Sequence, residues 1–303
     1  MQEEKLYLGD DTITYHRIAD GIRITSYHGN SPVVEVPEQI QESPVISIGK
    51  KAFLGRKSLK KLVLPKTIRQ IEDWAFANCD RLEEIVLSGE CEEYGKGVFQ
   101  GCSFLKKILP AEGRDLTKED YQTGSLLAAT ISLLDAPHLF IPKLAGSSQW
   151  LKQWDSKLLQ YLNMKDTQGF TVVVLCGEED YGSDENSLSY FIRKKRQAKV
   201  RLCFLRLLNP VGIEKETQKE LRDYLKEHSK GEASEETWQV VLEEHGNERE
   251  YYQMMMDCDC IHKDNIEGYL EDLGDSYPEM KSFLLQYKQE KLGVEDFFMS
   301  FTF

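Results

Sequence analysis

The chain is expected to fold as a multidomain α and β protein. A short solenoid of stacked coils covers residues 1–110, and an acidic all-α helical-repeat domain covers 111–303. Three observations predict this. Between Val45 and Pro110 the residues recur every 23 positions: Ile48, Ile71 and Tyr94; Phe53, Phe76 and Phe99; Leu59, Leu82 and Leu105; Leu62, Ile85 and Ile108. Many columns matching at one period mark a solenoid, in which each coil buries its apolar face against the next. Beyond about residue 120 the apolar residues recur instead at helical spacing. Charge divides the same way, with 15 Lys and Arg against 16 Asp and Glu in residues 1–110 but 23 against 35 in residues 111–303.

Residues 5–30 read as a β region. Ile13–Tyr15 and Ile22–Tyr27 alternate in the manner of strands, with Ala19-Asp20-Gly21 as the turn between them. This hairpin is expected to cover the first coil, since a terminal coil otherwise leaves core and strand edge in water. Val34-Glu35-Val36-Pro37 then matches Leu62-Val63-Leu64-Pro65 at a longer spacing, as a first, irregular coil. Each coil is expected to give a short strand at its Leu-x-Leu segment, with the Phe and Leu columns pointing inward. Cys79 and Cys102 share a column that calls for a small buried group; Arg56 departs from it. Seven cysteines, an odd count, fit a reducing compartment better than a disulfide framework.

The pattern Ile48-Gly49-(x)2-Ala52-Phe53, Leu59-(x)2-Leu62-(x)-Leu64-Pro65, Ile71-(x)3-Ala75-Phe76-(x)2-Cys79, with the leader Tyr15 to Gly29 and then Pro44-Val45-(x)2-Ile48-Gly49, resembles the BspA-like leucine-rich repeat over residues 10–110. The resemblance implies a right-handed solenoid that binds proteins or other macromolecules, in a bacterial setting, with no catalytic residues to carry over. The known members include secreted adhesins, so a cell-surface adhesin is the alternative reading.

The repeat decays after Ile108, and the polar residues 111–120 read as a link. Tyr121–Leu134 and Ser148–Asn163 read as helices, the second with Trp150, Trp154, Leu158 and Tyr161 on one face. Phe170–Cys176 is read as a short helix and Gly177–Ser187 as an acidic loop. Ser189–Leu208 is expected to be a long helix with Phe191, Ala198, Leu202 and Leu205 inward. Thr217–His228, a helix capped by Ser234 and ending at Gly246, Glu248–Asp257, Lys263–Leu273 and a last helix from Pro278 to about Lys291 complete the series. Leu225, Met254 and Phe283 are 29 residues apart. From about residue 188 these helical hairpins resemble ankyrin repeats, without the Thr-Pro-Leu-His signature of that family. The ending from Tyr287 to Phe303 resembles the close of C-terminal regions attached to some bacterial leucine-rich-repeat proteins.

The net charge of −13 repels phosphate backbones, so nucleic acid is not an expected partner. No run approaches the roughly 18 apolar residues of a membrane span, and membrane insertion is not expected. Met1-Gln2-Glu3-Glu4-Lys5 lacks the basic start and apolar core of a secretory signal, so a cytoplasmic location is expected, with the cell surface as the alternative if the natural chain begins further upstream.

Several residue groups invite a chemical reading. Cys258-Asp259-Cys260-Ile261-His262 has metal-ligating types, but zinc takes four ligands, commonly from two short knuckles, and no second pair lies near in sequence. Packing is the preferred reading, and no metal or cofactor is expected. Cys176 or Cys203 with His138, His228 or His245 could serve a cysteine-dependent enzyme, yet the chain shows neither a nucleophile elbow nor a phosphate-cradling glycine loop. No enzyme is expected. Arg193-Lys194-Lys195-Arg196, Lys199 and Arg201 form the strongest basic run, read as a solvated helix face pairing with Glu178-Glu179-Asp180.

The interface candidate is the solenoid's concave sheet. The residue between the two Leu positions of each strand faces outward: Glu35, Val63, Val86 and Leu109, with Lys61, Glu84 and Lys107 as neighbours. An apolar stripe of this kind needs a cover, either the chain's own helices or a protein partner. The expected function is non-catalytic protein–protein interaction or scaffolding through this face.

Overall fold

The structure is a computed structural model and describes residues 3–111, 115–170, 187–230 and 234–293. The chain forms two compact units, Met1–Lys157 and Leu158–Phe303.

The first unit begins with three strands, β1 (Glu4–Leu8), β2 (Asp11–Ile18) and β3 (Gly21–His28), each antiparallel to the next. The expected hairpin is β2–β3; β1 adds an edge strand that the sequence pattern did not single out. The coils then supply β4 (Val33–Glu35), β5 (Gln39–Ile40), β6 (Ser43–Ile48), β7 (Lys61–Val63), β8 (Gln70–Ile71), β9 (Glu84–Leu87), β10 (Glu93–Tyr94) and β11 (Lys107–Pro110).

Two parallel sheets run along the solenoid. One has the order β11-β9-β7-β4 and contains the Leu-x-Leu segments; the other runs β3-β6-β8-β10 and contains the Ile48, Ile71 and Tyr94 column. Register follows the period. Leu62 pairs with Ile85, and Ile85 with Ile108, 23 residues on each time. Val34 pairs with Leu62, 28 residues on, which makes the first coil the irregular one. Its extra length forms the β5–β6 hairpin, turned at Gln41 and Glu42, both at positive φ. The third side of each coil has no strand. There Phe53 N donates to Ala75 O at 2.8 Å and Phe76 N to Val98 O at 3.0 Å, so backbone bonds still run from coil to coil.

Two positions per coil are left-handed. Lys51, Trp74 and Gly97 form one column (φ +59°, +54° and +58°), and Gly55, Asn78 and Gly101 the other (φ +68°, +57° and +76°). Gly and Asn suit the second column, because they tolerate this conformation with least cost.

The core is a ladder of aromatic rings. Tyr27 stacks on Phe53 at 5.1 Å between centroids; Phe53 to Phe76 is 5.7 Å and Phe76 to Phe99 5.5 Å. Tyr27 belongs to the hairpin, so the N-terminal cap continues the core, and Tyr27 N donates to Ala52 O at 2.8 Å as a coil residue would. The ladder closes at Phe140, 5.6 Å from Phe99 and 5.0 Å from Tyr94, both edge-on. Cys79 and Cys102 are buried as expected, and they also donate: their sulfurs lie 3.1 and 3.2 Å from the carbonyls of Phe53 and Phe76. Burial pushes their thiols up to about 11 and about 12.

Phe140 lies beyond the repeats, so the boundary expected at residue 110 differs from the packing. α1 (Lys118–Ser132) packs on β11, and the first part of α2 (Ser148–Leu162) is tied to α1 and to the segment before Phe140 by two indole hydrogen bonds. Trp150 Nε1 donates to Leu139 O at 2.9 Å, and Trp154 Nε1 to Leu126 O at 3.0 Å. The last coil would otherwise show Phe99 and its neighbours to water, and these elements cover it.

The second unit is helical where described: α3 (Leu188–Leu208), α4 (Lys215–Glu227), α5 (Glu236–His245), α6 (Arg249–Asp257), α7 (Ile266–Leu273) and α8 (Pro278–Tyr287). α3 packs against α4, α5 and α6. Its inward face differs from the expected one: Val200, Leu202, Cys203, Phe204 and Leu207 are buried, while Phe191, Ala198 and Leu205 are half-buried. A helix enclosed by three others loses its single apolar stripe, which is the signal that periodicity reads. α5 is entered through Glu235, and Ser234 bonds the Glu236 carboxylate instead of capping the helix. Of the 29-residue series, Leu225 is buried and Met254 and Phe283 are half-buried. The segments 171–186 and 294–303 lie outside the described residues, and with them Cys176, Glu178, Glu179, Asp180 and most of the expected helix at Phe170–Cys176.

Phe76→Ala should lower unfolding stability by roughly 3–5 kcal/mol, because it opens a gap in the middle of the ladder. Tyr7→Ala, at a side chain on the edge strand that is 70% exposed, should change it by no more than about 0.5 kcal/mol. Urea denaturation of both variants checks this; equal midpoints would contradict the ladder as the core.

Candidate interface on the solenoid sheet

The outward face of the β4–β7–β9–β11 sheet is built by alternation. Val34, Leu62, Ile85 and Ile108 point into the core and are buried. Their neighbours point the other way, and register sets them in rows: Glu35 beside Val63, Val63 beside Val86, Val86 beside Leu109. Lys61, Glu84 and Lys107 form a second row. All seven expected residues therefore share one face.

Their environments differ along the sheet. Glu35 is exposed, Val63 and Val86 are half-buried, and Leu109 is only 2% exposed. α1 accounts for the gradient. A Cβ at Gly124 would sit 2.7 Å from Ile108 O and 2.8 Å from Leu109 Cδ2, so the helix lies directly against the outward face of β11. Lys107 Nζ lies 5.6 Å from the centre of the Tyr121 ring on α1. The chain's own helix thus covers the Leu109 end of the stripe. At the far edge Val33, on the same face, is 49% exposed.

The charges across this face are matched. Lys61 Nζ lies 2.7 Å from Glu84 Oε1, its direct cross-strand neighbour. The Glu84 hydrogen bond raises the Lys61 ammonium above its ordinary value, and burial opposes it. Across the second sheet, a cleft of about 450 Å³ is lined by Lys50, Glu72, Asp73, Glu93 and Tyr94 among others. Its carboxylates are engaged: Glu72 with Arg23 at 3.0 Å, Asp73 with the Lys96 N–H at 2.8 Å, and Glu93 with Gln70 at 2.7 Å.

The acids expected to pair with the basic run on α3, Glu178, Glu179 and Asp180, lie outside the described residues; among the described residues the run pairs with others. Arg196 meets Asp166 at 2.8 Å and Glu236 at 3.5 Å, Lys199 meets Asp166 at 2.7 Å, and Arg201 Nε meets Glu244 at 2.9 Å. Lys195 donates to the carbonyls of Lys165 and Gln168. Arg193 and Lys194 remain exposed beside the Tyr190 ring. Most of the run is therefore spent on holding the helical unit together. Sequence reading missed Asp166, which carries no local signature and is brought in by tertiary packing.

Cys203 is fully buried in α3, and burial pushes its thiol up. His228 stacks on Tyr224 at 4.1 Å and its Nδ1 lies 2.9 Å from Tyr224 O; His245 stacks on Tyr251 and meets Glu248 at 3.0 Å. His138 is exposed. Cys258, Cys260 and Ile261 are buried after α6. Among the described residues, no three or more His, Cys, Asp or Glu side chains gather to hold a metal ion, and no helix is long and apolar enough to cross a membrane.

Residues 34–121 match the family described as the BspA type leucine-rich repeat region, in six copies. A Treponema pallidum leucine-rich repeat protein is 36% identical over 32% of this chain and 47% of its own, with a TM-score of 0.32. A leucine-rich cell surface protein from Faecalibacterium prausnitzii is 26% identical over 37% of this chain and 31% of its own, with a TM-score of 0.32. A leucine-rich repeat protein from Bacteroides capillosus is 25% identical over 39% of this chain and 91% of its own, with a TM-score of 0.32. The chain thus spans about half of the Treponema protein. No curated protein matches.

Two predictions follow from this geometry. Ala normally stabilises a helix by about 1 kcal/mol relative to Gly, but Gly124→Ala should destabilise the first unit, because the added methyl meets Ile108 O; thermal unfolding reads the sign. Burial opposes ionisation of Asp166, and the hydrogen bonds from Arg196 and Lys199 outweigh it, holding the carboxyl below its ordinary 3.8. A depressed folded value stabilises above the unfolded value and is lost as pH falls through the folded one. Wild type should therefore exceed Asp166→Asn in unfolding midpoint at neutral pH, and the gap should close below about pH 4.

Proposed function

We propose that this chain, whose residues 34–121 form a BspA-type leucine-rich repeat, is a non-catalytic protein-interaction module working through the outward face of β4, β7 and β9. The coarser statement, a role in protein interaction or at a surface, rests on the repeat match. The finer one rests on one observation: Val63 and Val86 stand side by side on an outward face and are half-buried, while the same stripe is fully covered at Leu109. With Val33 exposed at the edge, an apolar strip stays open to a partner.

The mechanism follows from rigidity. Each strand is hydrogen-bonded to its neighbours and backed by the aromatic ladder, so the face is preformed and little conformational entropy is lost on docking. Lys61 and Glu84 are already paired, which places them at a polar rim beside an apolar centre. The partner is a protein that presents a complementary apolar surface, and the module acts inside the bacterial cell.

Val63→Asp should weaken partner binding by roughly 2 kcal/mol or more, the cost of spoiling an interface centre. Wild type, Val63→Asp and the control Tyr7→Asp would be immobilised and the proteins captured from bacterial lysate quantified. A protein held by wild type and the control but lost by Val63→Asp supports the proposal. Equal capture by all three, or none by wild type, counts against it.

A further inference from the structure

The sheet that carries the outward face is open at its first strand. The N-terminal cap closes the other sheet: β3 pairs with β6, and β2 and β1 continue beyond it. β4 pairs with β7 on one side, and among the described residues no strand pairs with its other side. In a parallel ladder a residue sends its N–H and its C=O to the same side, and successive residues alternate. Lys61 N donates to Pro32 O and Val36 N to Val63 O, both at 2.9 Å, so Pro32, Val34 and Val36 turn towards β7. Val33 and Glu35 therefore turn both backbone groups away from it, and among the described residues nothing meets them. Their side chains are exposed as well. Pro37, next in that alternation, has no N–H to offer, so the free edge stops at Glu35 with two donors and two acceptors. An uncovered edge of this kind is a template for pairing with another chain.

We propose that β4 takes up an extended segment of a protein partner as an added strand, with an apolar residue beside Val33 and a Lys or Arg beside Glu35, an inference that rests on reading this face as an interaction surface. Main-chain bonds to the edge give such an addition its affinity, and alternate side chains give it specificity. The sheet itself shows which neighbours suit each type. Val63 stands beside Val86 and Val86 beside Leu109, apolar against apolar. Lys61 stands beside Glu84 at 2.7 Å, cation against carboxylate. At β4 both kinds lack the next neighbour. Val33 is 49% exposed. Glu35 is exposed, and Lys61, the cation diagonal to it, is already engaged by Glu84.

A second copy of the chain fits this edge less well. Two β4 strands paired antiparallel about Val34 would set Val33 against Glu35 twice, a valine against a carboxylate each time. Paired in parallel, they would set Glu35 against Glu35, and like charges directly opposite each other repel. A segment that is apolar and basic at alternate positions removes both mismatches. The edge serves either direction, since its donors and acceptors suit a parallel and an antiparallel strand alike. Only the order reverses: apolar-x-basic when parallel, basic-x-apolar when antiparallel. A Lys-x-Val-x-Lys segment fits both.

The probe is the peptide acetyl-Lys-Thr-Val-Thr-Lys-amide, titrated into the isotope-labelled full chain and followed by NMR. The Val33 and Glu35 amide signals should move saturably, as new hydrogen bonds form, and those of Val34 and Val36, already bonded to β7, should move less. Exchanging both Lys of the probe for Glu should weaken binding by about fivefold or more. Glu35→Lys, a change at an exposed side chain, should reverse that order and favour the Glu probe. A Lys probe N-methylated at every residue keeps its side chains and should not bind. The proposal is overturned if the Val33 and Glu35 signals stay still, if the Lys and Glu probes bind alike, or if the N-methylated probe binds as well. Movement of those signals on raising the chain concentration alone would overturn it too, by putting a second copy on the edge. Failure of the probe, with Val63→Asp still releasing a captured protein, removes the added strand and keeps the outward face. A bound probe, with capture unaffected by Val63→Asp, removes the Val63 centre and keeps the strand.

Discussion

The solenoid depends on one repeated contact: an aromatic ring resting on the ring of the coil before it. Each coil of 23 residues is too small to bury its own apolar side chains, so its Phe finds a partner only in its neighbours. That requirement sets the register of both sheets, because Ile85 must sit beside Leu62 and Ile71 beside Ile48 once Phe76 rests on Phe53. It also forces both ends to be closed. Tyr27 supplies the first ring from an antiparallel hairpin, and Phe140 the last from a segment with no repeat at all.

The C-terminal closure has a consequence for the outward face. α1, which packs on β11 beside the end of the core, also lies over Leu109. The stripe is therefore covered at one end by a structural necessity and left open around Val63 and Val86. The inward residues of this sheet hold the coils together, while its outward residues differ from coil to coil.

In the helical unit the ordering principle is electrostatic as well as apolar. Lys199 and Arg196 converge on Asp166, and Arg201 on Glu244, so a basic run that looks like a surface patch in sequence is largely internal wiring. Such pairs cost desolvation and specify geometry as much as they stabilise.

The sequence by itself determined the repeat, its 23-residue register, the irregular first coil, the inward Phe and Leu columns and the seven residues of the outward face, because each is dictated by local spacing that every coil repeats. It also placed most helices, since caps, proline and apolar spacing act within a few residues. Only the tertiary structure decided that Phe140 ends the ladder, that Gly124 lets α1 settle on Leu109, that Asp166 is the acid Arg196 and Lys199 meet, and that Cys258 and Cys260 turn inward together. The first three join residues far apart along the chain. The last depends on a left-handed Asp259, which nothing in the neighbouring sequence requires. Contacts of this kind are set by how whole elements fill space, and no periodic pattern records them.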